Sequence, residues 1–163
     1  MNFDIDNSDP IHSPHHYLKV AEHFVDDVPH CRDLGVSVVE AKHGEVLLKL
    51  PYREDLLGDT ERGLIHGGVL TSLIDNASGL SVFCSLPEME AIATLDLRLD
   101  NMRPGVAGED IYAWARCYRL TSQVAFVRSV AYQQRHLPLA TSSSAFMRAS
   151  SNKSFMSNKK GQS

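Results

Sequence analysis

Two kinds of chemically useful group stand within one apolar stretch of the chain, residues 64–84. Near its start come His66, Gly67 and Gly68, whose glycines leave the first amides of a following helix open to close approach. An anion or a developing oxyanion is stabilised there, because unpaired amides and the helix dipole both favour negative charge. Asp75 is the one carboxylate of the stretch and is a candidate acid or base.

The apolar surroundings of Asp75 in the sequence predict a buried carboxylate. Charged side chains are almost never fully buried unless they are paired or used. Two interpretations follow from the residues alone: Asp75 caps a backbone turn, or it takes part in catalysis. The two glycines do not decide between them, since glycine pairs often mark tight turns.

The predicted secondary structure places this stretch in one long helix, with strands before and after it. Apolar residues on nearly all sides predict a buried helix from His66 to Cys84, and helical spacing predicts a shorter one from His15 to Asp27. A charged loop is expected over residues 53–63. Short apolar or alternating runs predict six strands, at about residues 36–40, 45–50, 94–100, 110–118, 124–134 and 139–147.

Short connections between the last four strands predict an antiparallel meander. Its first strand alternates, with Leu95, Leu97 and Leu99 on one face and Thr94 on the other. The predicted fold class is therefore α+β, an antiparallel sheet of about six strands wrapped around one long central helix. We expect a single domain over residues 13–148, between a loose segment at 1–12 and a disordered tail at 149–163.

Composition narrows the class of protein. The 163 residues are 43% apolar and 22% charged, as in ordinary globular domains, and the net charge of −4 disfavours a nucleic-acid partner. The acidic N-terminus and the lack of a long apolar run favour a cytoplasmic protein with no membrane partner. The three cysteines are too widely spaced for a disulfide framework or a zinc site, and the histidines have surface-like contexts. No metal and no cofactor are expected.

The combination of His66-Gly67-Gly68 with Asp75, nine residues after the histidine, resembles the hotdog-fold thioesterases of the phenylacetate-pathway, or PaaI-like, type. The segments on either side agree with it. Residues 29–40 and 44–51 resemble the family's opening strand pair, residues 93–104 the strand and turn after the central helix, and residues 138–146 the closing strand. The resemblance spans about residues 29–148, and its specificity lies in the combination of parts.

The resemblance implies hydrolysis of an acyl-CoA thioester. The Gly67 amide, with that of Gly68 beside it, would hold the oxyanion, and His66 would orient the loop by hydrogen bonding. Asp75 would either activate a water as general base or attack directly to give an anhydride, and the sequence leaves both routes open. Thr94 matches a hydroxyl-bearing position that in family members helps to place the water.

The spacing of these groups predicts a site shared between two chains. Gly67 and Asp75 are eight residues apart, which is roughly 12 Å along a helix. One chain therefore cannot bring both groups onto one carbonyl, whereas two antiparallel central helices about a two-fold axis can. We expect a homodimer, or a tetramer built from two dimers, with active sites at the subunit interface.

Substrate-binding residues are predicted on the central helix and the strand after it. Leu73, Phe83 and Met102 are expected to line an apolar slot for a medium-chain or aryl acyl group, and Asn76 stands beside the carboxylate. CoA carries several phosphate charges that need local cations, and Arg103 beside Pro104 is the first candidate. The other candidates are Arg98, Arg116, Arg119 and Arg128.

Two further functions are compatible with a hotdog fold. A dehydratase or hydratase would require a histidine paired with a carboxylate, and the central helix supplies no histidine beside Asp75. A non-catalytic acyl-CoA-binding or sensor protein would use the same pocket without hydrolysis. Measuring thiol release from a panel of acyl-CoA thioesters distinguishes a thioesterase from these two alternatives.

Overall fold

A long helix crosses one face of a six-stranded antiparallel sheet in the computed structural model, which describes residues 13–149. The loose segment predicted at 1–12 lies outside the described residues, and so does the predicted tail apart from Ala149. The helices are α1 Pro14–Asp27, α2 Pro29–Leu34 and α3 Gly67–Phe83. The strands of the main sheet are β1 Ser37–Lys42, β2 Glu45–Leu50, β5 Ile92–Asn101, β6 Ile111–Leu120, β7 Val124–Gln134 and β8 Leu137–Arg148.

The predicted fold class is confirmed, with every pair of neighbouring strands in the main sheet antiparallel. The central helix runs from Gly67 to Phe83, with His66 and Cys84 as its caps, as the apolar pattern predicted. It packs against β2, β6 and β7, and most of its apolar side chains are buried there. Burial of this kind, rather than intrinsic helix propensity, is the main source of helix stability in proteins.

The predicted meander is correct only for its last three strands. The sheet order is β1-β2-β6-β7-β8-β5, so β5 lies at the far edge beside β8 instead of next to β6. The physical reason is the path of α3, which carries the chain across the sheet before β5 begins. The connection from β5 to β6 begins beside the start of β8, where the Met102 and Arg103 amides both donate to the Leu139 carbonyl.

The segment before β1 is helical rather than extended. The sequence predicted a strand at about residues 36–40, and β1 does start at Ser37; residues 29–34, which the resemblance grouped with that strand in the opening pair, form α2 instead. Proline at the first helical position and a left-handed glycine at the end, Gly35 with φ of 74°, are the usual start and stop signals of a helix.

The predicted loop at residues 53–63 contains regular structure of its own. A 3₁₀ turn over Glu54–Leu56 leads into β3, Leu57–Asp59, which pairs with β4, Leu64–Ile65, just before the central helix. This small hairpin fixes the chain on entry to α3, since the His66 amide donates to the Leu56 carbonyl at 3.0 Å. No helix among the described residues is long and apolar enough to cross a membrane.

Burial of two cysteines leads to a prediction about thiol reactivity. Removal from water raises the pKa of Cys31 to about 11 and that of Cys84 to about 12, so at pH 8 almost none of either residue is the reactive thiolate. Cys117 is only half-buried. We expect Cys117 to react with an aromatic disulfide reagent at pH 8 at least about tenfold faster than the other two thiols in the folded protein.

The measurement is the absorbance released by the reagent, with each labelled cysteine identified by peptide mass spectrometry. Unfolding in guanidinium chloride should make all three thiols react at similar rates. Equally fast labelling of Cys31 or Cys84 in the native protein would contradict the burial described here.

Candidate functional site

The N-terminus of α3 is capped by the histidine that precedes it. Nδ1 of His66 accepts a hydrogen bond from the Gly68 amide at 3.0 Å, which places the proton of the neutral ring on Nε2. The Gly68 amide is therefore occupied within the chain. The Gly67 amide has no acceptor among residues 13–149, and apart from its chain neighbours and the adjoining helix backbone no atom of the described residues lies within 4 Å of the position that a Cβ on Gly67 would take. Of the two predicted oxyanion donors, Gly67 is the one that remains available.

Two glycines hold the His66 side chain between them. A Cβ at Gly58, on β3, would lie 3.0 Å from both Cα and Cβ of His66. A Cβ at Gly68 would lie 3.0 Å from its Nδ1. Contacts this short are tighter than almost all Cβ contacts in proteins and would push His66 away, so the absence of side chains at both positions lets the ring sit against the helix end.

Asp75 lies two turns further along α3, and it is half-buried rather than enclosed. The prediction of a buried carboxylate is wrong for the single chain, because Asp75 lies at the margin of the contact between α3 and the sheet, beside the edge strand β5. The Thr94 hydroxyl donates to Oδ1 of Asp75 at 3.1 Å, so the structure brings these two predicted residues together. Oδ2 has no hydrogen-bond donor among the described residues.

A β-bulge positions Thr94 for this contact. The pairing of β5 with β8 shifts between Thr94 and Asp96, which leaves Leu95 as the extra residue with 57% of its surface exposed. Beyond the bulge, Leu97 and Leu99 pack against the core, so Thr94 shares their face instead of opposing it. The predicted alternation was wrong at this one position. Bulges that redirect a side chain are common next to active sites.

Asn76, beside Asp75, is held by its own hydrogen bonds. Its Nδ2 donates to the Ser72 carbonyl at 2.8 Å, and its Oδ1 accepts from the Cys31 thiol of α2 at 3.2 Å. No hydrogen bond joins Asn76 to the Asp75 carboxylate in the described part of the chain. Asn76 thus links α2 to α3 while its surface faces the cavity described next.

A cavity of about 160 Å³ opens beside Asp75. Its polar end is formed by Asp75, Asn76 and Thr94. Its apolar remainder is formed by aromatic or aliphatic side chains and one glycine, namely Phe24, Gly79, Phe83, Ile92 and Phe146. The structure therefore joins a carboxylate and a hydroxyl to an apolar slot, which is the usual composition of a small-molecule site.

The remaining predicted substrate-binding residues are distributed differently. Phe83 lines the cavity, as expected, but Leu73 is fully buried in the core and does not. Leu73 is two residues from Asp75, so it lies on the sheet-facing side of the helix. Met102, 58% exposed, and Arg103 lie beyond the end of β5, eight or more residues from Thr94. Arg103 borders a separate surface cavity with Pro104 and Leu137.

Sequence reasoning missed four of the cavity residues. Phe24, Gly79 and Phe146 fall within elements that the sequence predicted, and Ile92 lies two residues before the predicted strand at 94–100, but none of the four was proposed as a site residue. The interior glycine of an otherwise strongly apolar helix was a usable signal, because such a glycine is often retained for close approach or open space. No feature of the sequence indicated that α1 would pack beside α3.

The arrangement is suited to acid–base or nucleophilic chemistry by a single carboxylate. No three His, Cys, Asp or Glu side chains are placed together to hold a metal ion within residues 13–149. The Gly67 amide lies eight residues from Asp75 on the same helix, roughly 12 Å along its axis. Within one chain, the open amide of Gly67 and the carboxylate of Asp75 are therefore too far apart to contact the same carbonyl group.

The chain is similar to known thioesterases in sequence and in fold. The family model described as the thioesterase superfamily matches residues 62–139, which include all of α3 and Thr94. The medium/long-chain acyl-CoA thioesterase YigI of Escherichia coli is 29% identical over 141 residues, covering 78% of this chain and 90% of YigI.

Two solved structures have the same fold. A protein of Pseudomonas aeruginosa superimposes with a TM-score of 0.74 at 41% identity, covering 81% of this chain and 98% of that one. The PaaI protein of the Escherichia coli phenylacetic acid degradation operon also gives a TM-score of 0.74, at 20% identity, covering 83% of this chain and 94% of PaaI.

The enclosure of His66 by glycines predicts a difference between two alanine substitutions. Gly58→Ala forces its Cβ against the backbone of His66 and should lower the free energy of unfolding by about 1–3 kcal/mol. Gly67→Ala is the matched control, since its Cβ meets no protein atom within 4 Å, and it should change that free energy by less than about 1 kcal/mol. Urea denaturation followed by circular dichroism measures both values. Equal stability of the two variants would contradict the described contact.

Proposed function

Since the chain belongs to the thioesterase superfamily and has the hotdog fold of PaaI, we propose that it hydrolyses medium-chain or aryl acyl-CoA thioesters with Asp75 as the reacting carboxylate. The observation that carries this proposal is the position of Asp75. Its carboxylate, bonded to Thr94 at 3.1 Å, lies at the polar end of an otherwise apolar cavity. An acyl group in the cavity brings its thioester carbonyl to that end.

The reaction adds water to the thioester and gives a free acid and the CoA thiol. In one route Asp75 takes a proton from the attacking water as general base. In the other, the carboxylate attacks the carbonyl, expels the thiolate and forms an anhydride that water then hydrolyses. Thr94 donates to Oδ1 in either route and thereby leaves Oδ2 as the oxygen available for water or carbonyl.

A second subunit supplies the oxyanion site in this proposal. The tetrahedral intermediate of either route carries a negative oxygen, and the Gly67 amide at the end of a 17-residue helix is suited to it. The 12 Å separation within one chain requires that this amide come from the partner, with the two α3 helices antiparallel. Gly67 is exposed and Asp75 is half-buried at the margin of the contact between α3 and the sheet, so both remain accessible to the partner in such a homodimer, alone or within a tetramer of two dimers.

The same geometry gives Arg103 a role across the subunit interface. The segment that follows Arg103 lies at the N-terminal end of α3, because the Ile65 amide donates to the Gly105 carbonyl at 2.9 Å. In the antiparallel dimer that end lies near Asp75 of the other subunit. Arg103, and the exposed Met102 beside it, are thus candidates to bind the CoA portion of a substrate whose acyl group occupies the neighbouring subunit's cavity.

Turnover of an acyl-CoA panel tests the proposal directly. The wild-type protein should hydrolyse hexanoyl- to decanoyl-CoA or phenylacetyl-CoA faster than acetyl-CoA, because each buried methylene contributes about 0.8 kcal/mol. Asp75→Asn keeps the side-chain shape but removes base and nucleophile, so kcat should fall by at least about 10². Thiol release measured with a chromogenic reagent gives both results.

The outcomes of that assay separate the candidate functions. Near-normal kcat in a folded Asp75→Asn variant would exclude Asp75 from the chemistry. Tight binding of acyl-CoA by the wild type without thiol release would favour the sensor function instead. Acetyl-CoA as the best substrate would contradict the assignment of the apolar cavity to the acyl group.

Mixing two inactive variants tests the shared site. Gly67→Pro removes the amide at the first helical position, where proline is tolerated, and the preceding His66 already has the extended ψ of 133° that proline favours. The other variant is Asp75→Asn. In a mixed dimer one site carries both changes and the other carries neither. Random exchange makes about half of the dimers mixed, so roughly one quarter of wild-type activity should return.

Controls for the mixing experiment are circular dichroism of each variant and native mass spectrometry of the exchanged dimers. Each homodimer should remain folded and inactive before mixing. If exchange is complete and no activity returns, the two groups do not act across the interface.

A further inference from the structure

We propose that Phe24 of α1 forms the end wall of the acyl cavity and sets the largest acyl group that the enzyme accepts, while Gly79 keeps the middle of the cavity open. This inference rests on the proposed function, since it assigns the cavity to an acyl group. It adds a specificity-determining role for a helix that lies outside the thioesterase family match at residues 62–139.

The cavity has a direction that follows α3. Asp75, Gly79 and Phe83 are spaced by four residues each, so they succeed one another on nearly one side of the helix. Phe83 lies roughly 12 Å along the axis from Asp75. An acyl chain whose carbonyl is at Asp75 therefore extends past Gly79 toward Phe83, away from the N-terminus of the helix.

An aromatic pair stands at that far end. The rings of Phe24 and Phe83 have centroids 5.5 Å apart with a 47° angle between their planes, which is a favourable packing distance for aromatic side chains. Both rings line the cavity. Phe83 belongs to the central helix, so Phe24 is the part of the wall that a separate element contributes.

The helix that carries Phe24 is fixed to the sheet, so the wall is present before substrate binds. Ala21 and Val25, on either side of Phe24, are buried, and α1 packs against β1. The Tyr17 hydroxyl lies 3.1 Å from Nδ1 of His43 in the turn between β1 and β2. These contacts restrain α1 at a position where the Phe24 ring faces Phe83.

Gly79 accounts for the space between the polar end and this wall. A Cβ at Gly79 would lie 3.7 Å from Cε1 of Phe146 and 3.9 Å from Cδ1 of Ile92, which are ordinary contacts with two other cavity residues. Alanine would therefore fit without a clash and would favour the helix, because glycine is a poor residue in a helix interior. What alanine would remove is cavity volume.

The volume of the cavity is sufficient for an acyl group of limited size. An apolar cavity of about 150 Å³ is large enough to bind benzene, and the volume here is about 160 Å³. A phenyl ring or the first several methylenes of a straight chain would fill it. Longer chains would meet the ring of Phe24.

The test compares Phe24→Ala with a matched variant of the same helix. Phe24→Ala opens the far end of the cavity, so the ratio of kcat/KM for dodecanoyl-CoA to that for hexanoyl-CoA should rise by at least about tenfold. That increase corresponds to two more methylenes buried in the enlarged cavity, because each buried methylene raises kcat/KM by about fourfold. Val25→Ala is the control, because Val25 is buried on α1 without lining the cavity, and it should leave the ratio within about twofold.

Gly79→Ala makes the cavity smaller, whereas Phe24→Ala makes it larger. It therefore tests the same proposal without removing a packed side chain. We expect a higher Tm together with at least about a fivefold fall in kcat/KM for decanoyl-CoA or phenylacetyl-CoA relative to butanoyl-CoA. A Tm that rises while the substrate profile stays as in the wild type would show that Gly79 does not serve the cavity.

A binding readout keeps this inference separate from the proposed function. Kd values of the same variants for non-hydrolysable acyl-CoA thioethers, by titration calorimetry, should show the same shifts in chain-length preference whether or not the protein turns substrate over. Shifted Kd profiles without wild-type turnover would overturn the hydrolase proposal alone. Unshifted profiles in Phe24→Ala and Gly79→Ala, or no binding by the wild type, would overturn the role of Phe24 and Gly79.

Discussion

The packing of α3 across the inner face of the sheet is the constraint on which the rest of the structure depends. The helix buries most of its apolar surface against β2, β6 and β7, and in doing so it sends the chain to the far edge where β5 begins. The sheet covers only one side of α3. Asp75, at the margin of this contact, and the open amide of Gly67 both remain accessible.

A single row of residues, each four positions from the next, joins the parts of the site along that helix. Gly67, Thr71, Asp75, Gly79 and Phe83 pass from the exposed N-terminus, through the carboxylate, to the aromatic end of the cavity. Such a row is inclined to the helix axis, so its far end turns toward the sheet and its near end stays outside. In the proposed function, the helix itself thus orders the anion-binding amide, the reacting carboxylate and the acyl cavity.

Several residues of the site contradict the local preference of their element. Gly79 weakens the helix interior, Gly58 interrupts a short strand, and the bulge at Leu95 breaks the ladder of β5. Each has a visible use: space in the cavity, room for His66, and the redirection of Thr94 toward Asp75. Conflicts between local preference and observed structure are expected to concentrate at functional positions.

The sequence by itself determined the two longer helices, the six strands of the main sheet and the candidate residues His66, Gly67 and Asp75, because helix caps, apolar period and residue spacing are local properties. Only the tertiary structure decided which of these face each other. It placed β5 at the sheet edge, turned Thr94 toward Asp75, buried Leu73 and brought Phe24 to the cavity. These outcomes depend on strand order, a bulge and the docking of α1, which arise from contacts between residues distant in the chain and leave no periodic signal in it.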